Sequence, residues 1–160
     1  MKTTFFGYIT LITLIFSASV FAYGLVKQPI EVQIKKAEYI VIGKVIDIKY
    51  EKAGQWEYQY AEIEPIQSLL TEIPPQIKLA LKGGYTEANL QCCEKGSLHL
   101  FFLTKGDSPL MHAVNGRHSD FKVISDRVIG WEHSENNNTE AVIKQILKIR
   151  NTPKDRVTKD

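Results

Sequence analysis

The chain has 160 residues, with 20 Lys or Arg against 18 Asp or Glu and a formal net charge of +2. That length suits one domain and is short for two. The near balance of charge argues against a nucleic-acid binder, which carries a basic excess on one face.

Met1 and Lys2 open the chain with one positive charge, and an apolar stretch runs from Phe5 to Phe16, broken by Gly7, Thr10 and Thr13. Ser17-Ala18-Ser19-Val20-Phe21-Ala22 follows, with Val20 and Ala22 in the small-residue positions before a cut. This layout is that of a secretory signal. The rival is an uncleaved anchor, but a spanning helix needs about 20 apolar residues and this run is shorter. Residues 1–22 are therefore read as a signal peptide, 23–150 as a single β-barrel domain and 151–160 as a flexible tail. Losing Lys2 takes the net charge from +2 to +1. The expected address is secreted or periplasmic, with no membrane span in the mature form.

Ile30, Ile34 and Ala37 have the spacing of a short helix. Tyr39 to Tyr50 reads as a long first strand. Its first half is apolar on both faces, and after Gly43 the pattern places Ile46, Ile48 and Tyr50 on one face and Asp47 and Lys49 on the other. A mid-strand glycine marks a bend or bulge. A turn at Ala53-Gly54 leads to a second strand, Gln55 to Ile66, in which Trp56, Tyr58 and Tyr60 share one parity and Ala61 and Ile63 the other; Pro65 marks its end or an edge. Gln76 to Lys82 alternates, with Ile77, Leu79 and Leu81 inward. Leu98 to Leu103 is a continuous apolar run, as in a strand buried on both sides. Leu110–Val114, Asn115-Gly116 and Ser119–Ile124 read as a hairpin, because Asn-Gly is a strong turn signal. Val128-Ile129 adds a short strand. Thr139 is the expected N-cap of a final helix striped by Val142, Ile143, Ile146 and Leu147. The expected fold is mainly β, a small closed or partly open antiparallel β-barrel with a short N-terminal helix and a C-terminal helix.

Ala37-Glu38-Tyr39-Ile40-Val41-Ile42-Gly43-Lys44-Val45 resembles the "A-D-x-V-x-x-G-x-V" first strand of netrin-like modules, a group that includes the inhibitory domain of tissue inhibitors of metalloproteinases and exported bacterial relatives. Tyr58 to Ile66 is similar to their second strand. Cys92-Cys93-Glu94-Lys95-Gly96-Ser97-Leu98-His99-Leu100-Phe101-Phe102-Leu103 is similar to their "C-x-x-x-G-x-x-Y-L-x-F" segment, and Asn115-Gly116 with Phe121 and Val123 to the hairpin that follows. The resemblance covers residues 37–124 and implies an OB-type barrel, which names an architecture and not a ligand. The inhibitors chelate zinc through an N-terminal Cys. No Cys precedes Cys92 here, so that mechanism does not transfer.

The candidate chemistry is sparse. Cys92 and Cys93 are the two cysteines, and export puts them where thiols pair. They can bond to each other, bond to another chain, or stay reduced and buried; zinc and redox motifs use separated cysteines. His112 and His118 flank the Asn-Gly turn. A two-residue loop would put them on opposite faces and a three-residue loop on one face near Asp120, and exposed histidines without metal are preferred. His99 reads as a satisfied core or barrel-mouth histidine. Glu62 and Glu64, with Glu57, read as a solvated surface. No phosphate loop, nucleophile elbow or His-Glu-X-X-His occurs, and no cofactor is expected. Trp56, Tyr58 and Tyr60 pack if they face the core, which is the preferred placement, and form a recognition surface if they face out, for which their place beside the polar Glu51–Gln55 loop leaves room. The expectation is a non-enzymatic exported module that binds or inhibits an extracytoplasmic protein through Trp56, Tyr58, Tyr60 and the Cys92-Cys93 loop. The alternatives are a thiol- or metal-dependent extracytoplasmic enzyme and an envelope structural protein that self-associates.

Overall fold

A computed structural model describes residues 26–53, 56–82, 90, 92–106, 109–132 and 136–153, so the segment expected to be a signal peptide, most of residues 151–160 and His133 lie outside the described residues. Helix α1 (Ile30–Lys36) is followed by β1 (Tyr39–Ala53), β2 (Trp56–Ser68), β3 (Ile77–Lys82), β4 (Leu98–Lys105), β5 (Met111–Ala113), β6 (Asp120–Ile124), β7 (Arg127–Val128) and helix α2 (Thr139–Asn151). The sheet order is β1-β2-β3-β5-β4, and Tyr39–Lys44 of β1 pairs with Leu103–Leu98 of β4 to close a five-stranded barrel. The pairing is mixed rather than wholly antiparallel, because β3 and β5 run parallel at Leu79 and Met111. Strands β6 and β7 extend from β4 outside the closed ring. No helix among the described residues is long and apolar enough to cross a membrane.

Two cores explain the segments that are apolar on both faces. Val41 and Val45 of β1, Ala61 and Ile63 of β2, Ile77, Leu79 and Leu81 of β3, and Phe101 and Leu103 of β4 fill the barrel interior. The opposite faces of β1 and β4, with Ile40, Ile42, Leu100 and Phe102, are covered by Ile30 and Ile34 of α1, Val142 and Ile146 of α2, and Trp131. Phe102, Phe121 and Trp131 meet there as a ring cluster, with Phe121 edge-on to both others. The two helices also cap each other: the Arg150 guanidinium of α2 donates to the Ile34 and Lys35 carbonyls at 2.8 and 2.9 Å, meeting acceptors that a helix end leaves bare.

β1 and β2 stay in register through two bulges. Ile66 is an extra residue opposite the Ile42–Gly43 step, and Ile46 is extra opposite the Ile63–Glu62 step. Ile46 therefore does not join Ile48 in the core; it lies at the surface, 36% exposed. Pro65 sits inside β2 at the first bulge, opposite Gly43, where a donor is least needed. Gly43 is required by close approach, since a Cβ there would lie 2.5 Å from Ile63 Cγ2.

The Asn115-Gly116 hairpin does not form. β5 and β6 both pair antiparallel with β4, one beside its end and one beside its start, so they run in the same direction along one edge. Residues 114–119 are an excursion between them, containing the 3₁₀ turn Gly116–His118. The polar side chains of Asn115 and Ser119 are drawn inward instead. The Ser119 hydroxyl donates to Gln33 Oε1 at 2.9 Å and accepts from the Asn115 N–H at 2.6 Å, with Gln33, Asn115 and Ser119 all buried. The tight hairpin lies between β6 and β7, where Ser125 and Asp126 have φ of 48° and 63°, both in the left-handed region that a two-residue turn needs. The N-cap of α2 is Asn138 rather than Thr139, because Asn138 Oδ1 accepts from Glu140 N and Ala141 N.

Candidate functional site

Closure removes sheet edges only where strands meet on both sides. β4 covers β1 as far as Lys44. The ladder continues by one step, because Val45 N–H donates to Ser97 O at 2.9 Å and Gly96 N–H donates to Val45 O at 2.8 Å. Beyond Val45, β1 pairs on one side with β2, from Asp47 opposite Glu62 to Ala53 opposite Trp56. Among the described residues nothing pairs with its other side. β3 reaches β2 only as far as Gln59. The last part of the two strands is thus a ribbon that leaves the barrel, with its β1 edge open past Val45 and its β2 edge open from Tyr58 to Trp56 among the described residues.

The ribbon has two distinct faces. Ile48 packs at the margin of the interior core, and beside it Tyr50 is 68% exposed, its hydroxyl accepting from Gln59 Nε2 at 2.9 Å. The other face carries alternating charge. Lys49 Nζ lies 2.7 Å from Glu62 Oε1, and this hydrogen bond raises the lysine pKa. Lys95 Nζ lies 3.4 Å from Asp47 Oδ1, and its hydrogen bond, with one from the Ile48 backbone, lowers the aspartate pKa. Glu62 is therefore a buried ion-pair partner, whereas Glu57 and Glu64 are exposed. Tyr58 and Tyr60 lie on this outer face, opposite in parity to Ala61 and Ile63. Tyr58 is half-buried; Tyr60 is covered, 7% exposed, with Lys78 Nζ 5.3 Å from its ring centre. Trp56 is placed by its pairing with Ala53 at the ribbon end, and its side chain lies outside the described residues.

The Cys92-Cys93 loop adjoins the ribbon base. The two sulfur atoms are in direct contact. Cys93 packs into the interior core and Cys92 against it, as does Ile48. Lys95 ties this loop to Asp47 of β1, and Glu94 pairs with Lys122 of β6 at 3.1 Å. The elements expected to form a surface, the Trp56–Tyr60 strand and the cysteine loop, are thus joined through β1, while Tyr60 itself is withdrawn from it.

A cluster that sequence reasoning missed stands just behind. His99, 3% exposed, has Nδ1 2.6 Å from Asp120 Oδ1 and Nε2 2.9 Å from Ser97 Oγ. Its ring stacks on Phe101. The order serine, histidine, aspartate is that of an acyl-transfer relay, which is recognised by geometry and roles. Ser97 Oγ also lies 2.5 Å from the Glu94 carbonyl, so its hydroxyl has a second acceptor beside His99 Nε2. The N–H groups of Gly96 and Ser97 are engaged by Val45 O and Glu94 O, so neither is turned toward an oxyanion. As placed, the cluster ties the loop, β4 and β6 together. The i, i+2 spacing of Ser97 and His99 put them on one strand face, but Asp120 joins them only through the β4–β6 register.

His112 is exposed on β5 and His118 half-buried in the 3₁₀ turn. The hairpin that would have related them is absent, and no group of three or more His, Cys, Asp or Glu among the described residues could hold a metal ion. No protein-family model, curated protein or solved structure matches the chain.

Proposed function

We propose that the chain is an exported, non-enzymatic interaction module, secreted or periplasmic, that binds an extracytoplasmic protein through the β1–β2 ribbon and the Cys92-Cys93 loop at its base. The observation that carries this reading is the ribbon itself: residues past Val45 project beyond the closed barrel, with the β1 edge open among the described residues and Tyr50 exposed. Tyrosine supplies a large contact area at little entropic cost, and an open edge supplies directed hydrogen bonds. The netrin-like assignment belongs to the same proposal, as does a vicinal disulfide between Cys92 and Cys93, which would hold the loop against the barrel. The reading requires no metal or cofactor.

The test is capture from an extracytoplasmic extract by three forms: the natural chain, a Trp56→Ala/Tyr58→Ala variant, and Leu147→Ala on α2. A protein retained by the first and third and lost by the second supports the reading; equal recovery by all three refutes it. Absence of iodoacetamide labelling on the unreduced, denatured chain, with intact mass showing a monomer, supports the vicinal bond. Edman sequencing of the exported product beginning at Tyr23 supports the address.

A further inference from the structure

We propose that the open edge of β1 pairs with the same edge of a second copy of this chain, as an antiparallel two-fold contact centred on Tyr50. The inference rests on the ribbon being the contact surface, and names its occupant.

The backbone phase decides which groups are available. Val45 directs its N–H and C=O toward Ser97 and Gly96, on the open side of β1. The bulge at Ile46 then shifts the phase, and Ala53 and Trp56 are the closing pair of the two-residue connection. Asp47, Lys49, Glu51 and Ala53 therefore bond to β2. Ile48, Tyr50 and Lys52 direct their N–H and C=O groups outward; among the described residues no strand meets them, and the Ile48 N–H is engaged by the neighbouring Asp47 carboxylate.

A second copy laid antiparallel with Tyr50 opposite its own Tyr50 brings Ile48 opposite Lys52 of the second copy. These are the residues with outward backbone groups, so each donor meets an acceptor, the Ile48 N–H exchanging the Asp47 carboxylate for the Lys52 carbonyl of the second copy. The positions between them are Lys49 and Glu51, and in this register Lys49 faces Glu51 of the second copy and Glu51 faces its Lys49. Opposite charges directly across an antiparallel pair are favourable, and the two-fold axis makes the match twice. Within one copy Lys49 faces Tyr60 directly and reaches Glu62 diagonally, so Glu51 of the second copy would approach the lysine from the side that β2 leaves open. Sliding one strand by two residues puts Lys49 opposite Lys49 or Glu51 opposite Glu51, like charges directly across; sliding it by four, with Ile48 facing Ile48, places Asp47 opposite Lys49 but draws the contact back toward the bulge, where the ladder is irregular. Centring on Tyr50 is the register in which hydrogen bonding and charge agree over the regular part of the strand.

Sedimentation velocity of the purified protein from micromolar to millimolar concentration tests the inference. The expected result is a monomer–dimer equilibrium. Tyr50→Pro removes one outward N–H and leaves the β2 ladder intact, and is expected to abolish the dimer with the circular dichroism spectrum unchanged. Glu51→Lys keeps the backbone and turns both cross-pairs into repulsions, weakening the dimer by about tenfold. Hydrogen exchange supplies a readout that does not depend on either variant: the amides of Ile48, Tyr50 and Lys52 slow as concentration rises, while those of Lys49 and Glu51 are slow throughout. A monomer at every concentration overturns the inference, as does a dimer that both variants leave intact. Neither result bears on capture of a foreign partner, which separates failure of this inference from failure of the broader reading.

Discussion

Gly43→Ala should destabilise the barrel by about 1–3 kcal/mol, the range for forcing a methyl into a packed core. The new Cβ would lie 2.5 Å from Ile63 Cγ2 and 3.3 Å from the Glu64 carbonyl oxygen. Carbon atoms rest at about 3.5–4.0 Å, so the first contact is about 1 Å too short. Ile63 is fully buried in the barrel interior, with Val45 and Ala61 fully buried beside it, so it has little room to retreat. Alanine gains about 0.5–1 kcal/mol over glycine in a strand interior, and the overlap has to exceed that gain for the sign to hold. The discriminating measurement is a double-mutant cycle with Ile63→Ala, which removes Cγ2 at a cost of about 2–5 kcal/mol by itself. In that background the methyl at position 43 enters vacated space, and the expected coupling is about 1–3 kcal/mol in the favourable direction. Urea unfolding of all four proteins at one temperature gives the cycle. Additive costs would refute the reasoning, because they would mean that Ile63 is not what excludes a side chain at position 43.

Ser119→Ala leaves Gln33 Oε1 and the Asn115 N–H buried without their shared partner; a loss of about 2–4 kcal/mol is expected from urea unfolding. Ser125→Asn places a residue that tolerates the left-handed region at φ 48° and should stabilise the β6–β7 turn by about 0.5–1 kcal/mol, read by thermal unfolding. The Asp47 carboxyl is held below its ordinary value first by the Lys95 hydrogen bond. Its contribution to stability is therefore present above the unfolded-state carboxyl range and is lost as pH falls through the lower folded value. Lys95→Ala should raise the Asp47 midpoint in an NMR titration, and an unchanged midpoint would remove Lys95 as the cause.

The sequence made the barrel legible where pattern and burial coincide. Ile77, Leu79 and Leu81 alternate because one face of β3 lines the interior, and Leu98 to Leu103 is continuous because β4 lies between two cores. It misled where a local signal competed with tertiary demand. Asn115-Gly116 has turn chemistry, yet the Ser119 hydroxyl and Gln33 recruit this segment into a buried polar junction. Ser125-Asp126 carries a weaker signal, and the pairing of Val123 with Val128 forces the reversal there. Of the surface read from sequence, Tyr58 and the cysteine loop remain near the ribbon. Tyr60 does not, because Lys78 on the neighbouring strand covers it, a contact that depends on the β2–β3 register. The open edge was not legible, since an unpaired strand side leaves no mark on side-chain alternation.

Burial and pairing change along β1, and the change falls at Val45. Before it, residues such as Ile40, Val41 and Ile42 are buried and the strand is paired on both sides, so a change there acts on both cores. After it, Tyr50, Glu51 and Lys52 are exposed and only one side is paired. The joint is held by contacts that do not depend on ribbon side chains beyond Asp47: the Val45 backbone bonds to Gly96 and Ser97, and Lys95 paired with Asp47. His99 and Asp120 brace the loop that supplies those contacts from the far side of β4. The outer part of the ribbon can therefore fray or accept a partner while the barrel beneath keeps its packing, since local opening is governed by how few buried contacts a segment makes. The Ser97, His99 and Asp120 cluster is, by this argument, part of what mounts the ribbon on the barrel.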